Sequence, residues 1–164
     1  MTAILVSACL LGQKVRYDGA AKTLDDKRLS RWAGKGWLHP ICPELLGGLS
    51  VPRLPAEIEP GHDGASVLSG QGRILDLYGG DVTEAFLQGT KIAVATAQEH
   101  GCKFALLTEA SPSCGTDVIY SGHHDGVRRA GMGVVTAALT QAGVQVFSSE
   151  QIGMLASLID TKGT

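Results

Sequence analysis

A chain of 164 residues with a net charge of −2 has room for one domain rather than two, and it is a poor partner for duplex nucleic acid. Aromatic residues make up only 5%, so the core must be built from Val, Ile, Leu and Ala. No apolar run approaches the roughly 20 residues that span a bilayer, and no basic segment precedes Ile4-Leu5-Val6 as a secretory signal requires. The expectation is a cytoplasmic protein without a membrane partner.

Ala3 to Ala8 is an apolar run too short for a helix and is expected as a buried strand. A polar loop carrying Arg16-Tyr17-Asp18-Gly19 follows. Asp25 to Ala33 predicts a short helix ended by Gly34 and Gly36. Trp37 to Ile41 predicts a second strand, with Pro40 unable to donate to a ladder. Pro43 to Gly72 holds Pro43, Pro52, Pro55 and Pro60 among many glycines, and is expected as a long irregular segment of the kind that carries function. Asp81, with Glu84 three residues on, has the form of a capping box. It heads a helix whose face is Val82, Ala85, Phe86, Gly89, Ala93 and Ala97, closed by Gly101. Phe104 to Leu107 is a third strand and Val118 to Tyr120 a short one. Met132, Val135, Ala138, Leu139 and Ala142 mark another helix, stopped by Gly143. Val144 to Phe147 is a last strand. Ser148 and Gln151 pair as a capping box before a final helix through Ile159. Strands alternating with helices define an α/β fold: a single Rossmann-like domain over residues 1–164, with a mostly parallel sheet and helices on both faces.

Four cysteines in a reducing compartment are metal ligands, catalytic groups or buried thiols rather than disulfides. Cys9, Cys42 and Cys114 each follow a predicted strand or lie in the loop beyond one. In a parallel sheet all three arrive at the carboxyl rim, where open α/β sheets place their ligands. Cys102 falls at the amino end of its strand, on the opposite rim, and reads as a structural thiol. Three thiolates without a fourth suggest a metal centre with one position open. The alternative is three unrelated buried thiols, and their separations match no local metal-binding spacing.

Glu44 stands two residues after Cys42 and is the candidate for moving protons. Ser111, three residues before Cys114, is the candidate for holding a substrate or water, or else forms the turn before Pro112. Glu109 and Asp18 read as structural partners. Arg16, Arg53 and Lys22 lie on loops and could hold an anion. His123-His124 would point to opposite faces of a strand, a poor arrangement for gripping one ion. The Gly79-Gly80 helix start could bind an anion, but the negative Asp81 opposes it.

Taken in order, Val6-Ser7-Ala8-Cys9-Leu10-Leu11-Gly12, Arg16-Tyr17-Asp18-Gly19, Cys42-Pro43-Glu44, Gly47-Gly48-Leu49, Pro52-Arg53, Asp81-Val82-Thr83 and Ser111-Pro112-Ser113-Cys114-Gly115 resemble the small bacterial family that includes the TudS-type thiouracil desulfidases. The resemblance runs over nearly the whole chain. It implies a [4Fe-4S] cluster bound by Cys9, Cys42 and Cys114, with one iron not ligated by protein, and maps catalytic roles onto Glu44 and Ser111. The reaction expected on that footing is non-redox desulfuration of a small thiocarbonyl compound, such as a thiolated pyrimidine, to the carbonyl product and hydrosulfide; monomer and homodimer both stay open. His123-His124 departs from the aromatic-containing stretch usual in the family, and that departure falls on the pocket lining. Two other classes compete: a cluster-carrying sensor or sulfur carrier without turnover, and a three-cysteine zinc hydrolase.

Overall fold

The computed structural model describes residues 2–162. In chain order these form β1 (Ile4–Ser7), α1 (Lys27–Gly34), β2 (Leu38–Ile41), α2 (Pro43–Leu46), β3 (Ala56–Ile58), α3 (Gly64–Leu68), β4 (Ile74–Asp76), α4 (Thr83–Glu99), β5 (Phe104–Leu107), β6 (Val118–Tyr120), β7 (Arg128–Ala130), α5 (Val134–Gln141), β8 (Gln145–Ser148) and α6 (Ile152–Lys162).

β1 is apolar along its length because it is central. It lies between β2 and β5 in a sheet of order β2-β1-β5-β8, with every pairing parallel. Ile4, Leu5 and Val6 are entirely buried, as expected of a strand covered on both faces. Successive residues alternate between two cores. Leu5, Ala105 and Leu107 face α4 and α5 through Phe86, Ala93, Val135 and Leu139. Ile4, Val6, Phe104 and Leu106 face α1 and α6 through Leu29, Trp32, Leu155 and Ile159. Pro40 sits on β2, opposite Val6, and β2 is an edge strand, the place where a missing donor costs least. No helix among the described residues is long and apolar enough to cross a membrane.

The expected helices and sheet strands form, with shifted starts. α4 begins at Thr83 rather than at Asp81. The Asp81 carboxylate accepts the Thr83 amide at 3.0 Å, Val82 is the N-cap, and no side chain caps it, so Glu84 closes no box. Ser148 and Gln151 do form their capping box, but it opens a short 3-10 turn before α6, which runs to Lys162.

The stretch from Pro43 to Gly72 is not irregular throughout. It contains α2, β3 and α3, and β3 pairs antiparallel with β4, Ala56 opposite Asp76 and Ile58 opposite Ile74. Three-residue strands are too short to show a period. β7, whose Arg-Arg-Ala run carries no apolar alternation, likewise emerges only through its ladder with β6.

Candidate functional site: three thiols at the sheet's switch point

The chain leaves β1 toward β2 on one side and returns to β5 on the other. The order therefore reverses between β1 and β5, and a crevice opens above their carboxyl ends. A cavity of ≈750 Å³ occupies that place, and Cys9, Cys42 and Cys114 all line it. Cys9 is in the 3-10 turn that continues β1. Cys42 is the N-cap of α2, where Pro43 supplies the fixed φ of a first helical residue. Cys114 is in the loop between β5 and β6. Cys102 precedes β5, its amide bonded to the Ala97 carbonyl at 2.8 Å. It is buried in the α4–α5 core, and burial pushes its thiol up to about 11.

The Cys114 loop is tightly fixed. Ser111 Oγ accepts the Cys114 amide at 2.7 Å. Glu109 gathers the loop onto one carboxylate, accepting from the amides of Ala110 (3.1 Å) and Thr116 (2.7 Å) and from Thr116 Oγ1 (2.5 Å). The first amides of α5, which have no partner inside the helix, donate to this loop instead: Val134 to the Pro112 carbonyl and Val135 to that of Ser113, both at 2.9 Å. α2 is held against α4 by glycine contacts. A Cβ on Gly47 would meet the Ala85 carbonyl, and one on Gly89 that of Pro43.

Between the thiols lies a buried acid. Glu44 is 9% exposed and forms no ion pair among the described residues. Its Oε1 accepts from Ser113 Oγ at 2.6 Å and its Oε2 stands 3.7 Å from Cys42 Sγ. Ser113, fully buried, is 3.2 Å from Ser111 Oγ. With the Ser113 hydrogen committed to the carboxylate, Ser111 donates to Ser113, and the hydroxyls form a directional chain ending at Glu44. The sequence placed Glu44 and Ser111 at the site. It did not single out Ser113, whose position beside a cysteine and a proline reads locally as turn chemistry.

All three thiols are harder to ionise than a free cysteine. Burial is the largest cause at Cys9, Cys42 and Cys114, and the Glu44 carboxylate raises each further. Cys42 is pushed up to about 11. Left alone these thiols keep their protons, so a metal centre that takes them as thiolates must displace those protons on binding.

The donor set suits an iron–sulfur cluster. Such clusters are held by thiolates and tuned by hydrogen bonds to sulfur, and hydroxyls surround these thiols. Thr108 Oγ1 is buried without a hydrogen-bond partner and lies beside Cys9, lowering the cost of its thiolate. Ser7 does the same for Cys114, and Ser113 Oγ is 3.5 Å from the Cys114 sulfur. Among the described residues no three His, Cys, Asp or Glu side chains form a group that could hold a metal ion. A four-iron cluster offers a different iron to each thiolate and is served by thiols spread around a cavity.

Arg16, Lys22 and Arg53 also line the cavity, Arg16 and Lys22 near enough to ease ionisation of Cys9 and Arg53 that of Cys42. Arg53 is tied to the Val15 carbonyl at 3.0 Å and that of Ser50 at 3.1 Å. Asp18 accepts the Ala20 amide within its own turn. The amides of Tyr78 and Gly80 are taken by Asp76 Oδ1, so the Gly79-Gly80-Asp81 turn presents no free anion site. Of the paired histidines, His124 alone reaches the cavity.

Three thiols and a buried carboxylate thus share the switch point of a doubly wound α/β domain. A family model described as 2-thiouracil desulfurase matches residues 4–151. Among solved structures, a protein described as the [4Fe-4S]-dependent thiouracil desulfidase TudS is 41% identical, with a TM-score of 0.89, over 98% of this chain and 99% of that one. The protein YbbK of Bacillus subtilis (strain 168), described as uncharacterized, is 40% identical over 156 residues, 91% of this chain and 97% of its own length. The chain belongs to the 2-thiouracil desulfurase family.

Proposed function

We propose that this desulfidase removes sulfur from a thiolated pyrimidine without net redox change, exchanging C=S for C=O with one water and releasing hydrosulfide, at a [4Fe-4S] cluster held by Cys9, Cys42 and Cys114. The observation that carries the reading is the placement of three thiols around one cavity, with a buried carboxylate 3.7 Å from one of them and joined through Ser113 to the loop of another. When bound, a cluster held by three thiolates leaves one iron without a protein ligand, a soft Lewis acid better matched to thiocarbonyl sulfur than to carbonyl oxygen.

The rest of the chemistry falls to this chain. Glu44 takes a proton from the attacking water, since it is the buried carboxylate at the thiols. Returning that proton to the departing sulfur makes hydrosulfide and leaves the carboxylate as it began, while the second hydrogen of the water leaves the new carbonyl oxygen as a proton to solvent, so that C=S and H2O give C=O, HS− and H+. The Ser111–Ser113 hydroxyls carry the proton along the chain that ends at Oε1. Ser111, with one lone pair given to the Cys114 amide, has its second free for a substrate N–H or a water.

Anaerobic loading followed by a thiouracil assay tests the reading. The expected result is a brown protein with iron and sulfide in equal amounts, and loss of both colour and turnover in Cys9→Ala, Cys42→Ala and Cys114→Ala. Absence of cluster absorbance, or unchanged turnover in Cys114→Ala, would sink it.

A further inference from the structure

Facing the cavity, away from the Glu44–Ser113 chain, is a carboxylate–imidazole pair that the mechanism above does not use. Glu57, on β3, is 8% exposed. Its Oε1 accepts the amides of Gly122 at 2.8 Å and His124 at 3.3 Å, and its Oε2 stands 3.4 Å from His124 Nδ1. Both residues line the cavity. His124 Nε2 makes no hydrogen bond among the described residues.

The loop that presents this ring is built to hold it still. His124 has φ 54, a left-handed conformation uncommon outside glycine, where Asn, Asp and His are the usual exceptions. Gly122 has φ 96, and a Cβ there would meet the Ile58 carbonyl and Pro60, so the loop lies directly on the strand that carries Glu57. Asp125 closes the turn, accepting from Ser121 Oγ at 2.7 Å and from the Val127 amide at 3.0 Å. A residue kept in a sparsely populated conformation beside a ligand cavity points toward function.

We propose that His124 is a specificity-determining residue, its Nε2 accepting a hydrogen bond from a ring N–H of the thiolated heterocycle, with Glu57 as its positioning residue; the inference rests on the desulfidase reading above. Which ring nitrogen carries the hydrogen is set by the bond the other one makes. Glu57 Oε2, 3.4 Å from Nδ1, favours the tautomer with its hydrogen on that nitrogen, and that tautomer turns the lone pair of Nε2 to the cavity. An acceptor fixed there selects heterocycles that bring an N–H donor. It disfavours analogues in which that nitrogen is alkylated, because the half-buried acceptor then loses its partner.

The test compares 4-thiouracil with its 1-methyl and 3-methyl derivatives on the anaerobically loaded protein. In the wild type one methyl derivative loses about tenfold or more in kcat/KM, chiefly through KM, as expected for binding energy expressed equally in ground and transition states. His124→Asn suits the left-handed backbone but withdraws the ring; it lowers kcat/KM for 4-thiouracil about tenfold and brings the three compounds together. His124→Gln, with an amide oxygen near the Nε2 position, restores part of the gap. Glu57→Gln narrows the gap without loss of cluster absorbance. Calorimetric binding of uracil and its methyl derivatives, which do not react, follows the same order. A wild type that converts 4-thiouracil but treats all three alike, or a His124→Asn variant with the gap intact, overturns this inference and leaves the desulfidase reading standing. A loaded wild type that converts none of them overturns that reading, and this one with it.

Discussion

Glu44 is an acid placed where acids are rarely left: buried, beside thiols, with a serine hydroxyl for company and no ion pair among the described residues. Glu44→Gln keeps its size and one bond to Ser113 but cannot carry a proton. Its kcat is expected to fall by roughly 10²–10⁴ while cluster absorbance stays at the wild-type level, and a full-speed variant would argue for a carrier without turnover. Ser113→Ala breaks the chain in its middle and also lowers kcat. Glu44 was legible in the sequence because it stands two residues after a cysteine at a strand end. Thr108 and Ser113 were not, because hydroxyls become informative only when burial shows which of them lack water. Glu57 and His124 lie 67 residues apart, a separation across which no local pattern operates.

At the scale of elements, the Cys114 loop depends on Glu109. Burial pushes its carboxyl upward, but hydrogen bonds from Thr116, Ala110 and Val118 outweigh that and hold it below the ordinary range. The stabilisation is complete above the unfolded value of 4.5 and is lost as pH falls through the lower folded value. Glu109→Ala, which strands several amides, should cost about 2–4 kcal/mol in urea denaturation near neutral pH, and the penalty should shrink toward pH 3. The α2–α4 contact is the second such joint. Gly89→Ala puts a methyl group against the Pro43 carbonyl, and overpacking of this kind costs about 1–3 kcal/mol. Because Glu44 rides on α2, turnover should fall further than stability does, which parallel melts and assays would reveal. The helices and sheet strands could be read ahead because their periods extend over enough residues to register. β3, β4 and β7 could not: strands of three residues owe their existence to a partner across the ladder, and the segment that holds β3 looks like loop by its proline and glycine content.

For the whole molecule, the alternation of strands and helices was enough to place Cys9, Cys42 and Cys114 on one rim and Cys102 on the other, since parallel strands all end on the same side. The lateral order β2-β1-β5-β8 was not readable, because it depends on which side each crossover takes. It is that order which puts the crevice between Cys9 and Cys114. Cys102 supplies an independent check on the molecule's interior. Its thiol is raised from 9.0 to about 11 by burial, so the stability it contributes is present below pH 9 and declines as pH rises through about 11. Urea midpoints of Cys102→Ala and the wild type should therefore converge at the alkaline end.

The three thiols are delivered by separate elements of one sheet, and the sheet is closed by its own two cores rather than by anything bound at its rim. A small zinc domain unfolds when its ion leaves, because the ion is its core. Here two hydrophobic cores close the sheet, so loss of the proposed cluster is expected to leave the frame standing. Far-ultraviolet circular dichroism of the stripped protein should match that of the loaded one, and colour should return on adding iron and sulfide under argon without a denaturation step. Damage at such a site is then expected to be repairable in place: an oxidant would remove the contents and leave the container to be filled again.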